Sequence, residues 1–245
     1  AVPVHGERRQ TPSETAAHGF VCVAGPHAQA SWHRKLRMTG SNLSLPPWFV
    51  SEQPQPLILA SASPRRAELL HQVGIRFLQE PVEVDETWPK DLLPDDAVRS
   101  LARRKASVAA TRHPGAVILA ADTAVFLDSQ PLGKPADATE AYEMLRRLSG
   151  RKHEVITGIA IVDPVTRLEI SDSVLTEVWM REASDYEIAA YAQSSEPLDK
   201  AGAYGIQGMA AGFVTKICGC YSNVVGLPVS RVVAMLQLIV DRRKE

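Results

Sequence analysis

From position 57 onward, apolar and polar residues fall into short blocks with two different periods. Leu57, Ile58, Leu59 and Ala60 form an unbroken apolar run, which predicts a buried strand. Ser63 then stands where a helix N-cap belongs, with Pro64 at the first helical position, where a missing N–H is harmless. Leu69, Leu70 and Val73 give that helix an apolar side, and Gly74 suits the position just past its end. Residues 75–84 read as a strand or extended segment ending at Asp85 and Glu86. A long helix follows Asp95, with Val98, Leu101, Ala102, Ala106 and Ala109 on one stripe. Residues 117–120 predict a short strand closed by Asp122, and residues 125–127 a further strand with its turn at 128–130.

The second half of the chain has the same punctuation. Asp137 and Glu140 make a capping-box-like pair, opening a helix that ends at Ser149 and Gly150. Residues 155–162 and 170–180 read as two long strands joined at Asp163-Pro164. Ser184 and Glu187 form a capping box for a helix through Ala192. The glycine-rich stretch 201–208 breaks any regular pattern. Pro228 begins a C-terminal helix with Val232, Met235, Leu236 and Ile239 on one side. Strands and helices alternate first, and then strands pair, which predicts a single α/β domain built on a mixed sheet.

The first 52 residues differ. His5, His18, His27 and His33 are scattered among Gly, Pro, Ser and Arg, and no period of 2 or 3.6 runs through them. The expectation is a flexible extension over 1–52 and a folded domain over 53–245. Composition narrows the classes further. A formal net charge of −1 gives no global basic field, so stable nucleic-acid binding is not expected and any anion site must be local. No apolar run is long enough to cross a bilayer, so no membrane role is expected. Three cysteines form neither a zinc pattern nor a disulfide framework, in keeping with reduced thiols and a cytoplasmic location.

Several polar residues stand where propensity alone would not put them. Arg65 and Arg66 fall in the first turn of a helix, where the partial positive charge disfavours cations by roughly 0.3–1 kcal/mol each. Such a placement invites an anion held by free N–H groups, the Ser61 and Ser63 hydroxyls and the two guanidiniums. The bland alternative is a salt bridge to Glu68 or Asp85. Lys105 lies on or beside an apolar stripe; it either snorkels to solvent or reaches a phosphate or carboxylate. Asp122 closes a strand, where open α/β sheets place ligand sites, and serves either as a turn residue or as a catalytic carboxylate. Asp85 and Glu86 add two acids at another element end, and carboxylates from two elements suit Mg²⁺, which keeps waters and bridges to phosphate oxygens. Lys134 adds one more cation. Together these are the parts of a metal-assisted nucleotide enzyme.

The blocks LASASPRRAELL, VDET, LARRKA, AADTAVFLD with LGKP, MLRRLSGRKHEVITG and EPLDKAGAYGIQG occur in that order. Together they resemble the Maf family of nucleoside triphosphate pyrophosphatases over roughly residues 57–240. The resemblance implies an elongated, twisted mixed sheet flanked by helices, of the Maf and inosine-triphosphatase kind. It implies hydrolysis of a nucleoside triphosphate to monophosphate and pyrophosphate with a divalent cation, Mg²⁺ or Mn²⁺. Asp122 matches the family's catalytic acid and proton acceptor. Ser61, Arg66, Lys105 and Lys134 fall to phosphate binding, and Glu86 with Asp122 to the metal.

Base choice divides the family. A branch acting on 7-methyl-GTP carries Trp, Gln and Glu where this chain has Arg65, Thr123 and Gln207. Those three resemble the branch that hydrolyses dTTP and UTP. Ala124 departs from the bulkier β-branched residue usual at its position, a packing change. Two other classes stay open: a septum-formation regulator acting by binding, and a pyrophosphatase for non-canonical purine triphosphates. The nucleotide is the expected partner, and a homodimer is an open assembly.

Overall fold

The computed structural model describes residues 56–88, 91–243 and 245. The extension read over 1–52 therefore lies outside the described residues. The chain enters the sheet through β1 (Leu57–Leu59), then α1 (Pro64–Gln72), β2 (Leu78–Gln79), α2 (Pro94–Arg112), β3 (Val117–Leu127) and β4 (Gln130–Leu132). It continues through α3 (Ala138–Leu148), β5 (Lys152–Asp163), β6 (Leu168–Met180) and α4 (Asp185–Ala192). Three 3₁₀ turns follow, Pro197–Asp199, Ala201–Ala203 and Met209–Gly212. The chain closes with β7 (Val214–Cys218), α5 (Tyr221–Val225) and α6 (Val229–Arg242). Among the described residues, no helix is long and apolar enough to cross a membrane.

The seven strands form one sheet in the order β2-β1-β3-β5-β6-β7, with β4 paired to β3. β1 runs parallel to β2 and β3, and the other pairs are antiparallel. This is the single mixed α/β domain expected. Alternation along β3 sends Leu119, Ala121, Val125 and Leu127 to the larger core, with α1, α3, α4, α5 and α6. Ile118, Ala120, Ala124 and Phe126 face α2 instead. Val232, Met235, Leu236 and Ile239 of α6 are buried as the pattern predicts, each worth roughly 1.5–3 kcal/mol. Arg243, just past α6, donates from Nε and Nη2 to the buried Asp163 carboxylate at 2.6 and 2.5 Å, fastening the helix end to β5.

Two local expectations need correction, for Asp122 and Ser63, and two segments gain detail. Asp122 does not end a strand. It lies in the middle of β3, which continues unbroken to Leu127 because β5 pairs with it from Ile118 to Phe126. The segment 75–84 contains only a two-residue strand, since β1 offers β2 only Ile58 and Leu59 as partners. Ser63 is the N-cap of α1 by backbone position, but its side chain makes no cap bond. The Ser61 hydroxyl accepts from the Ser63 N–H instead. Residues 214–225 carry a strand and a short helix, β7 and α5, that periodicity did not reveal.

Other signals hold. Ser184 and Glu187 exchange both capping-box bonds. Asp137 accepts from the Glu140 N–H, but Glu140 reaches back to Ala136 N–H rather than to the cap residue's own N–H. Gly74 and Gly150 take the left-handed conformation that their positions demand.

Candidate active site

The site grows from an interruption in the sheet. On one edge of β3, pairing with β1 stops at Leu119 and pairing with β4 starts at Val125. Between them the strand is partnered only by β5. Val117 N–H bonds Pro56 O, and Leu119 O accepts from Ala60 N–H, so odd residues direct their backbone groups to this edge. By strand alternation, the Ala121 and Thr123 backbone groups face the same opening. Both β1 and β4 run out at this notch. The residues that follow them, Ser61 and Lys134, therefore flank it. Asp122 and Thr123 occupy its centre and project to opposite faces of the sheet.

On the α2 face, Lys105 Nζ lies 2.7 Å from Asp122 Oδ1 and 2.6 Å from Glu86 Oε1. Lys105 is 8% exposed, so it does not snorkel; its charge meets the largely buried Asp122 carboxylate and the exposed Glu86 carboxylate. The helix can come this close because its buried stripe is mostly alanine, with Ala97, Ala102, Ala106 and Ala109 all fully covered. Gly158, paired with Asp122 across β5, completes the approach. A Cβ there would overlap the Val98 carbonyl and crowd the Arg99 amide. Lys105 holds the Glu86 carboxyl below the usual carboxylate range, through its hydrogen bond first, with Lys134 and Arg66 contributing at longer range.

On the other face, Arg66 is fixed by three bonds. Its Nε donates to Gly226 O at 2.8 Å, Nη1 to Ser61 Oγ at 3.0 Å and Nη2 to Thr123 Oγ1 at 3.0 Å. Thr123 Oγ1 also lies 2.9 Å from Thr157 Oγ1. Thr157 in turn donates to Asn223 O. Desolvation lowers the Arg66 pKa, and the Asp122 and Glu86 charges act against that shift. The two faces therefore feel each other electrostatically through the notch.

Beside this cluster opens a cleft of about 340 Å³. Arg65, Thr123 and Gln207 all line it. Neither salt bridge suggested for Arg65 and Arg66 forms: Arg65 Nη1 pairs with Asp199 Oδ2 at 2.8 Å. Asp199 Oδ1 also accepts from Lys200 Nζ at 2.5 Å, and Lys200 lines the same cleft. Beneath it, the buried His153 Nε2 lies 2.7 Å from the Tyr204 hydroxyl, and the rings stack edge to face. Burial pushes His153 down to about 4, so it is neutral at pH 7.

The predicted residues thus fall into two adjoining groups. Asp122, Lys105 and Glu86 form one, and Ser61, Arg66 and Thr123 the other. Arg65 and Gln207 stand in the cleft, and the exposed Lys134 reaches Glu86 through its field alone. The sequence reading passed over Glu196, Asp199 and Lys200, although adjacent opposite charges before a glycine-rich stretch are a visible signal. It also passed over Gly158, a glycine inside a β-branched strand, which marks close backbone approach.

Among the described residues, no group of three or more His, Cys, Asp or Glu side chains could hold a metal ion. The donor set near the notch is two carboxylates bonded to one ammonium, which keeps their oxygens within a few ångströms of each other. That fits a hard cation completing its shell with water and phosphate oxygens, and fits poorly a structural zinc.

Comparison with known proteins identifies the family. The family described as Maf-like protein matches residues 56–239. A dTTP/UTP pyrophosphatase of Symbiobacterium thermophilum is 51% identical over 182 residues, covering 74% of this chain and 93% of the relative. The dTTP/UTP pyrophosphatase of Myxococcus xanthus is 52% identical over 181 residues, covering 74% and 91%. That of Bdellovibrio bacteriovorus is 45% identical over 185 residues, covering 74% and 96%. With a family match over three quarters of its length and relatives this similar, the chain belongs to the Maf family.

Proposed function

We propose that this protein is a nucleoside triphosphate pyrophosphatase that hydrolyses dTTP and UTP to the monophosphate and pyrophosphate. The observation that carries the reading is the convergence of Arg65, Thr123 and Gln207 on one cleft, beside the Lys105–Asp122–Glu86 group. The names of the relatives support the same substrates.

In this reading the base and sugar occupy the cleft, and the triphosphate crosses the open edge of β3. Gln207 offers two N–H donors and a carbonyl acceptor, enough to read a pyrimidine edge. Arg66, held at the notch by Ser61 and Thr123, keeps guanidinium donors for phosphate oxygens. Ser61 and Lys134 meet the chain of phosphates from the two strand ends. A triphosphate carries about four negative charges, and in-line displacement needs them neutralised. Asp122 accepts a proton from the attacking water, and Lys105 fixes its carboxylate in place. Glu86 and Asp122 would hold Mg²⁺ or Mn²⁺, which would neutralise phosphate charge and help orient the water.

A substrate panel tests the reading. Purified protein is mixed with dTTP, UTP, dCTP, CTP, the common purine triphosphates, ITP, XTP and 7-methyl-GTP, and released pyrophosphate is measured with and without Mg²⁺ or Mn²⁺. Metal-dependent release from dTTP and UTP is expected. Release confined to ITP and XTP, or to 7-methyl-GTP, overturns it.

A further inference from the structure

Gln207 is exposed and sits in a loop of little regular structure, between Gly205 and Gly208. A flexible exposed side chain reads a base poorly, because its ordering entropy must be lost at binding. The structure supplies a device that removes part of this loss before substrate arrives. The Glu196 carboxylate lies directly under the loop. Its Oε1 accepts from the Tyr191 hydroxyl at 2.9 Å, and its Oε2 accepts from the Met209 N–H at 3.0 Å. The Tyr191 hydroxyl also accepts from the Gly205 N–H at 3.3 Å. One carboxylate and one phenol thus grip the backbone on both sides of Gln207. Burial, followed by the Glu196 carboxylate, pushes the Tyr191 pKa up, so the phenol stays a donor.

The glycines are part of the grip. A Cβ at Gly208 would overlap both carboxylate oxygens of Glu196. A Cβ at Gly205 would lie 2.6 Å from Lys200 Cε and 3.4 Å from Glu196 Oε1. Lys200 Nζ donates to the Glu196 carbonyl at 2.6 Å, so the underside of the loop is one continuous set of contacts. A side chain at either glycine would push Lys200 or the Glu196 carboxylate off this seat.

We propose that Glu196 is the positioning residue for pyrimidine selection: it pre-sets the backbone around Gln207 so that the Gln207 amide meets the base already aligned. The proposal rests on the pyrimidine reading above and deepens it. It does not place Glu196 in contact with the reacting atoms.

Glu196→Gln is the informative change. Its amide cannot satisfy both donors. With oxygen toward Tyr191, its NH₂ meets the Met209 N–H. Reversed, its NH₂ donates to a phenol oxygen that already receives Gly205 N–H, and the phenol proton loses its acceptor. Two readouts follow. Hydrogen exchange at the amides of residues 205–209 should quicken about tenfold or more relative to wild type. KM for dTTP and UTP should rise about tenfold while kcat stays within about threefold, and preference for dTTP over dCTP should fall by a similar factor. Tyr191→Phe should move the same quantities in the same direction, and it carries the test if Glu196→Gln does not fold.

Equal loss on every triphosphate with unchanged preference overturns the proposal and leaves Glu196 a structural residue. Unchanged exchange and kinetics in a folded variant also overturn it. Gln207→Glu in the same assay separates the two levels. If faster exchange at 205–209 accompanies unchanged preference in Glu196→Gln, and Gln207→Glu is silent too, the base-reading assignment has failed. If Gln207→Glu alters preference and Glu196→Gln does not, only the positioning role has failed.

Discussion

Lys105 and Asp122, seventeen residues apart on a helix and a strand, meet at 2.7 Å in the middle of the sheet. The contact pairs an ammonium with a carboxylate that is 15% exposed, and a second carboxylate, Glu86, shares the same nitrogen. Such a group is costly to bury for stability alone, since a well-packed apolar replacement is often as stable. Its value lies in a carboxylate held in one orientation.

Asp122→Asn tests that value. The change is isosteric and keeps an oxygen for Lys105, but it removes the negative charge. Turnover of dTTP and UTP should fall by about 10²–10⁴-fold, the usual loss for a general base, with the melting temperature little altered. A folded variant retaining more than about a third of the wild-type rate removes Asp122 from the chemistry.

Gly158→Ala addresses the distance between α2 and the sheet. The added methyl group would overlap the Val98 backbone, which cannot rotate away as a side chain would. The helix must shift or the strand must bend, at roughly 1–3 kcal/mol. Both the melting temperature and kcat should drop. A variant as stable and as active as wild type would show that Lys105 does not depend on this contact.

His153 gives a pH signature. Its folded-state pKa is about 4, against 6.5 when unperturbed. Between those values the unfolded chain binds a proton that the folded chain refuses. The contribution is therefore whole above pH 6.5 and is lost as pH falls toward 4, amounting to roughly 3 kcal/mol in all. Thermal melts from pH 7.5 to 4.5 should show this loss. His153→Gln, which can still bond Tyr204 but does not titrate, should lose less over the same window. Parallel curves for the two proteins would show that His153 is not the group responsible.

Gln207→Glu keeps size and replaces two N–H donors with a carboxylate. kcat/KM for dTTP and UTP should fall roughly 10–100-fold, the penalty for leaving a polar edge of the base unpaired. Arg65→Trp, Thr123→Gln and Gln207→Glu together should move preference toward methylated guanine. Unchanged dTTP and UTP kinetics in the folded single variant would remove Gln207 from base reading.

Much of this arrangement is legible in the sequence, because it depends on local rules. The α6 stripe, the Ser184–Glu187 capping box and the αL glycines at 74 and 150 each follow from spacing within a few residues. The misplaced charges at Arg65, Arg66 and Lys105 also announced themselves as violations of local preference. What was not legible depends on who pairs with whom. Asp122 looks terminal because the apolar run before it stops, whereas its strand continues because β5, and β4 from Val125 on, supply partners beyond it. The Arg65–Asp199 pair joins positions 134 residues apart, and no local pattern encodes that distance. Glu196 went unremarked for the same reason: its task is defined by Tyr191 and Met209 only after the loop has folded over it.

The contact at Gly158 has a mechanical consequence. Helix α2 rests on the β5 backbone with no side chain between, so this wall of the site has almost no compliance. Substrates of different size cannot be accommodated by moving Lys105 and Asp122. Whatever closing motion accompanies binding must come from the opposite wall, where Arg65, Asp199 and the loop around Gln207 are joined by ion pairs and single hydrogen bonds. On the proposed reading, one side of the site is then a fixed reference for chemistry, and the other, seated on Glu196, is where the base is measured.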